Sequence, residues 1–165
     1  MKPYDDAEPD TVLKKHVGKR TTIGYGCRFT ATEWDTYKDG ITNEQASALF
    51  DTKLKPFEKA VNAKLLYHVS QQQFDAAVLL AYNIGADKFK KSSAAKIINN
   101  PKVQTNYNDL AEAWRAYSKI TKTDKNGNVV YDKDTGNKIK ITLPGLLNRR
   151  NCELNVYYNG VYKKW

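Results

Sequence analysis

Four acidic residues crowd the start of the chain, Asp5, Asp6, Glu8 and Asp10. Carboxyl groups are what general acid–base chemistry draws on, yet the same cluster also composes an acidic, solvated turn. Glu8 precedes Pro9, so it sits in a loop and not at the end of a buried helix. That placement argues against it as an acid that stays protonated near neutrality. His16 and His68 stand alone without a second ligand at metal spacing, and read as surface or internally satisfied histidines, not as a zinc site. Gly24-Tyr25-Gly26 is too short for a phosphate loop and no helical run follows it. Asn83 is a polar residue in an otherwise apolar helical segment. Arg149 and Arg150 precede Glu153 at helical spacing, so an ion pair with Glu153 is expected together with outward-facing charge.

Composition bounds what these residues can serve. A chain of 165 residues, 41% apolar and 12% aromatic, is a globular chain with room for one domain and a real core. Two cysteines, Cys27 and Cys152, specify no disulfide framework, and each is as well read as buried as bonded. The net charge of +9 favours a polyanionic partner: nucleic acid, anionic lipid or bacterial cell wall. The alternative is lysine that merely solvates helix faces. A nucleic-acid reading rests on charge alone, because no groove-reading or base-stacking motif accompanies it. The N-terminus has no apolar core of a signal peptide, and the longest apolar run, residues 76–82, falls far short of the roughly 18 needed for a membrane span. The chain as it stands is therefore expected neither to export nor to anchor itself.

The elements that must position the chemistry are legible in the pattern. The first forty residues carry glycines, prolines and β-rich runs such as Arg20-Thr21-Thr22-Ile23-Gly24-Tyr25, which predicts a small β lobe with turns. Thr42-Asn43-Glu44-Gln45 is a capping box, and Ala46, Leu49, Phe50, Leu54, Phe57 and Val61 follow at helical spacing, with Pro56 expected to break or kink the helix. Ser70-Gln71-Gln72-Gln73 is a second capping box. It opens a helix apolar around most of its circumference that stops at Gly85, as the central helix of a helical lobe would. Phe74 and Trp114 read as core. Shorter helices are predicted at residues 93–98 and 109–117, and a last one at 146–158. Between them, Lys125-Asn126-Gly127-Asn128 and Asp134-Thr135-Gly136-Asn137 flank alternating Val129-Val130-Tyr131 and Ile139-Lys140-Ile141, which predicts a β-hairpin over 120–142.

Thr22-Ile23-Gly24-Tyr25-Gly26, followed after a polar loop by Ile41-Thr42-Asn43-Glu44-Gln45-Ala46, resembles phage-type lysozymes. The resemblance continues in order through Gln73-Phe74-Asp75-Ala76-Ala77, Tyr82-Asn83-Ile84-Gly85, Phe89, Ser92-Ser93, Trp114 and Pro144-Gly145-Leu146-Leu147-Asn148-Arg149-Arg150 with Glu153. It implies an α+β, lysozyme-like fold in a single domain. A small N-terminal β lobe of about 1–41 would face a larger helical lobe of about 42–165 across a cleft, with the 120–142 hairpin inserted. It implies a muramidase that hydrolyses β-1,4 bonds between N-acetylmuramic acid and N-acetylglucosamine in peptidoglycan during phage-induced host lysis.

In that family a catalytic Glu ends the first helix, nine residues before the Asp of a Tyr-x-Asp motif, and a Thr before Ile-Gly completes the set. Tyr4-Asp5-Asp6 matches Tyr-x-Asp, so the resemblance makes Asp6 the catalytic aspartate and Thr22 the threonine, and sets the glutamate before Met1. Glycoside hydrolysis needs a protonated carboxyl at the leaving oxygen and a second carboxylate that assists water or stabilises charge; Asp6 suits the second part, with Thr22 orienting the water. Asn83 and Arg149 would bind substrate. The chain departs from the family at Cys27, where a His is frequent, and in the longer stretch between Asp6 and Thr22, which resembles an inserted turn. No metal or organic cofactor is implied. The expected partner is peptidoglycan and the expected state a monomer. The protein would be held in the host cytoplasm until released to the periplasm and wall at lysis. The alternative is a lysozyme-like wall-binding or virion structural protein that kept the fold and lost the chemistry, since the family's glutamate is absent from these residues.

Overall fold

Thr21, Thr22 and Ile23 alternate across a short strand: Thr21 and Ile23 are buried and Thr22 is half-exposed, the period-two signature of a pleated strand with one face on a core. The computed structural model describes residues 1–5 and 21–163. Asp6, Glu8, Asp10 and His16 lie outside the described residues. The chain divides into two compact units, Met1–Pro56 and Phe57–Trp165.

In the first unit, strands β1 (Tyr4–Asp5), β2 (Thr21–Ile23) and β3 (Cys27–Arg28) form an antiparallel sheet in that order, with Tyr4 opposite Thr22 and Ile23 opposite Cys27. The β2–β3 turn uses positive φ at Gly24 (59°) and Gly26 (79°), which only glycine adopts cheaply. A side chain on Gly24 would stand 3.1 Å from Ala46 Cβ. The close approach lets Ile23, Phe29, Ile41 and Ala46 form a core that Trp34, Tyr37 and Leu49 flank. The predicted β lobe is not purely β. A 3-10 turn at Ala31–Glu33 leads into α1 (Trp34–Tyr37), too short for hydrophobic periodicity to have announced it.

Helix α2 (Asn43–Lys64) starts at the predicted capping box, where Gln45 N–H donates to Thr42 Oγ1 and Thr42 N–H donates to Gln45 Oε1. The helix runs through Pro56 without ending. Pro56 and Thr52 are both exposed. On an exposed helix face, a carbonyl that proline deprives of its donor can be hydrated instead of stranded in an apolar core.

The second unit is built on α3 (Gln71–Ile84), whose Ser70 capping box is complete and whose Ala76, Ala77, Val78, Leu80 and Ala81 are buried. It packs most extensively on α7 (Pro144–Asn159), which begins with proline in its first turn. Between them come α4 (Ala86–Lys91), α5 (Ser93–Asn99) capped by Ser92, and α6 (Leu110–Arg115) capped by Asp109. A 3-10 turn at Ala116–Ser118 follows. The predicted hairpin is present: β4 (Lys119–Thr121) pairs antiparallel with β5 (Lys140–Thr142). Beyond this root, Val129 and Tyr131 make only isolated bridges, to Thr123 and Lys138, so the expected strand over 129–131 is not continuous. Among the described residues no helix is long and apolar enough to cross a membrane.

Candidate active site

The predicted site residues fall in both units, Thr22 in the first, Asn83 and Arg149 in the second. Thr22 is the middle residue of the central strand, held by pairing with Tyr4 on one side and Arg28 on the other. Because its neighbours Thr21 and Ile23 face the core, its own side chain stands on the opposite face, half-exposed. Thr21 points inward, fully buried, and its Oγ1 has no hydrogen-bond partner among the described residues. Asp5, paired with Thr21, is the residue directly before Asp6. Cys27, where the family often has histidine, is buried in β3, and neither it nor the half-exposed Cys152 forms a disulfide.

Glu33 and Glu44 are carboxylates of the first unit whose pKa their surroundings lower, Glu44 through hydrogen bonds to its own backbone and to Thr42. The Thr30 backbone N–H donates to Glu33 Oε2 at 2.7 Å and holds the carboxyl below its ordinary range. Partial burial opposes this, while the Thr30 hydroxyl at 2.8 Å and Lys53 at 3.5 Å reinforce it. Such a group stays ionised and is unsuited to protonating a leaving oxygen.

In the second unit Asn83 is exposed near the end of α3, on the wall of a recess of about 580 Å³ shared with Tyr107, Tyr117 and lysines of α4 and the hairpin root. An amide there has its donors and acceptor on the solvent side. Arg149 is half-buried on α7. Its neighbour Arg150 is the one that meets Glu153: Arg150 Nη2 donates to Glu153 Oε1 at 2.6 Å, and Trp114 Nε1 donates to Oε2 at 2.8 Å. Arg150, Glu153 and Trp114 are all buried. Burial pushes the Glu153 carboxyl up, against the opposing pull of Arg150 and Trp114. At 2% exposure it is sealed from a polymeric substrate, so this cluster ties α6 to α7. The i,i+3 spacing foretold the ion pair; the Trp114 contact, 39 residues distant, left no signal in the sequence. Among the described residues no group of three or more His, Cys, Asp or Glu could hold a metal ion.

The sequence model of the phage lysozyme family matches residues 8–153. An endolysin of Bacillus phage PZA is 29% identical over 145 residues, which are 88% of this chain and 46% of that protein. An endolysin of Acyrthosiphon pisum secondary endosymbiont phage 1 is 28% identical over 134 residues, 81% of this chain and 77% of that protein. The chain thus spans about half the length of the first relative and about three-quarters of the second. Among solved structures, an endolysin from Escherichia coli O157:H7 phage FAHEc1 is similar with a TM-score of 0.66 and 28% identity, over 99% of this chain and 85% of that one.

Proposed function

Because this chain belongs to the phage lysozyme family and has the lysozyme-like α+β fold, we propose that it is a muramidase cutting the β-1,4 bond between N-acetylmuramic acid and N-acetylglucosamine in peptidoglycan, at phage-induced host lysis. The observation that carries this reading is the family match over residues 8–153. In this reading Asp6 is the carboxylate that assists the attacking water, and the Thr22 hydroxyl orients that water by hydrogen bonding. The half-exposed face of β2, on which Thr22 stands opposite the buried Thr21 and Ile23, supports a role at a surface open to substrate. Asn83 and Arg149 contribute sugar and charge contacts. A wider carboxylate separation that leaves room for water goes with inversion at the anomeric carbon.

The general acid must be a carboxyl kept protonated near neutrality. None of the three perturbed glutamates of the described residues serves, since Glu33 and Glu44 are held ionised and Glu153 is enclosed with Arg150. The family's order sets this glutamate ahead of Tyr4, where residues 1–3 hold none, and Glu8 is the weaker alternative. The wall's anionic polymers give the net charge of +9 a purpose, since they draw a cationic enzyme to its substrate.

The test is product analysis on purified peptidoglycan. New reducing ends terminating in muramic acid are expected, and Asp6→Asn should lower their rate of release by about 10²- to 10⁴-fold. Thr22→Val should lower it less. Liberated peptides without new reducing ends would overturn the muramidase reading, and wall binding with no cleavage would favour a lysozyme-like binding protein instead.

A further inference from the structure

The recess beside Asn83 gathers three lysines from three elements, Lys88 of α4, Lys119 of β4 and Lys140 of β5, and among the described residues no acidic one lines it. Among the described residues none of the three ammonium groups enters an ion pair. Lys140 Nζ donates to Thr121 Oγ1 at 2.8 Å, which leaves it further N–H donors. The hairpin register places Lys119 opposite Thr142 and Thr121 opposite Lys140. Opposed residues share a face, so Lys119 and Lys140 rise from the same face of the ladder on a diagonal, about 7–8 Å apart. Both side chains are exposed, and their charges add to one positive field that a bound anion would relieve. Ile84 and Leu146 form part of the same wall and lower the local dielectric, which strengthens the field a bound anion feels.

The identity of the cations narrows the ligand. A planar carboxylate is best matched by the arginine fork, whereas lysines act as point charges that surround a tetrahedral oxyanion from several sides. Three ammonium groups also exceed what one carboxylate needs. Tyr107 and Tyr117 are both part-buried, unlike rings splayed out for nucleobases to stack on.

We propose that the lysine side of this recess binds phosphate groups of an anionic polymer attached to the bacterial wall, bordering the glycan that Asn83 contacts at the same recess. The source of the polymer rests on the muramidase reading above. The hairpin then contributes recognition, because two of the three cations stand on its root.

The experiment is calorimetric titration of the full chain at low ionic strength with poly(glycerol phosphate), with polyglutamate and an oligothymidylate of matched charge as comparison ligands. Wild type should bind the phosphate polymer most tightly, with affinity falling as salt rises. The variant Lys88→Gln/Lys119→Gln/Lys140→Gln should bind it at least about 10-fold more weakly. A charge-matched control further along the hairpin, Lys125→Gln/Lys133→Gln/Lys138→Gln, should lose less than about 3-fold. Equal loss in both variants would overturn the site, leaving only diffuse charge. Polyglutamate bound as tightly would overturn the phosphate assignment, and the oligothymidylate bound as tightly would make nucleic acid the ligand. Cleavage of phosphate-free peptidoglycan is scored on the same proteins. Failure there with intact polymer binding sinks the muramidase reading alone; intact cleavage without polymer binding sinks this proposal alone.

Discussion

Glu153 and Glu33 carry the same charge into two regions that treat it in opposite ways. Glu153, between α6 and α7, accepts from Arg150 and Trp114 and is closed off from water, and burial pushes its carboxyl up. Glu33, at the turn before α1, is about one-third exposed, and its Thr30 and Lys53 contacts hold it down. Both carboxylates have good partners, so partner count does not separate them. Lost hydration does. Two ions taken out of water lean on each other, and removing one leaves the other stranded, whereas an exposed pair falls back on solvent. Arg150 makes the dependence sharper, since among the described residues its Nε and Nη1 have no hydrogen-bond partner and its charge is fully buried.

The largest expected effect follows directly. Glu153→Ala should destabilise the protein by about 3–5 kcal/mol in denaturant unfolding, because Arg150 is left buried and uncompensated. The double variant Arg150→Met/Glu153→Leu should recover most of that loss. A single variant costing under about 1 kcal/mol would break the contrast, as it would mean water already reaches the pair.

In the first unit a packing change should outweigh any charge change. Gly24→Ala puts a side chain at φ 59° and 3.1 Å from Ala46 Cβ. A cost of about 1–2 kcal/mol is expected from the left-handed backbone alone, and a thermal melt that does not move would show that the turn can relax. Glu33→Gln should cost only about 0.2–1 kcal/mol near neutrality, because its ion pair is solvated.

The pH dependence of the two glutamates sharpens the comparison. The folded-state pKa of Glu33 lies below its ordinary 4.5, so its contribution is present above that value and lost as pH falls through the lower, folded one. The gap between wild type and Glu33→Gln should therefore close on acidification. For Glu153 the sign reverses: its carboxyl is raised from 4.5, so the penalty sets in as pH climbs from that value through the folded one. Stability curves of Glu33→Gln and Glu153→Gln, each against wild type, that move in parallel would contradict this.

The smallest effect is expected for the hairpin. Its Ile120, Val129, Tyr131 and Ile141 are all more than one-third exposed, so it has little core to lose. Replacing residues 123–139 by a short glycine-rich link should leave unfolding cooperative and shift stability by about 0.5 kcal/mol or less. A chain that no longer folds would show that the hairpin belongs to the core.

What was legible in the sequence were features that act locally. Reciprocal side-chain caps announced α2 and α3, because Thr42 with Gln45 and Ser70 with Gln73 need only three residues of chain to find each other. Paired Asn-Gly and Thr-Gly turns announced the hairpin. Helix α4 was not foreseen, since Asp87, Lys88, Lys90 and Lys91 leave Phe89 as its one buried residue and no apolar stripe to read. Of the break or kink expected at Pro56, the break did not occur, because the exposure that lets a helix tolerate proline is set by the fold. For the site, Asn83 was conspicuous as a polar residue on an apolar helix. The lysine recess was not, because Lys88, Lys119 and Lys140 meet only after chain segments far apart have folded. Asp6 lies outside the described residues, so its place is an expectation that the Asp6→Asn variant must test.

The two thiols differ in how water reaches them, Cys27 enclosed in β3 and Cys152 half-exposed on α7. A disulfide reagent in native conditions should label Cys152 promptly and wait for the sheet to open before it labels Cys27. Where reclosing outruns the chemistry, the slow rate divided by that of an unstructured thiol is the equilibrium constant for the opening. The molecule thus carries its own clock for local unfolding beside the strand that bears Thr22, and a substitution in that region can be assessed for its effect on sheet opening without any turnover being measured.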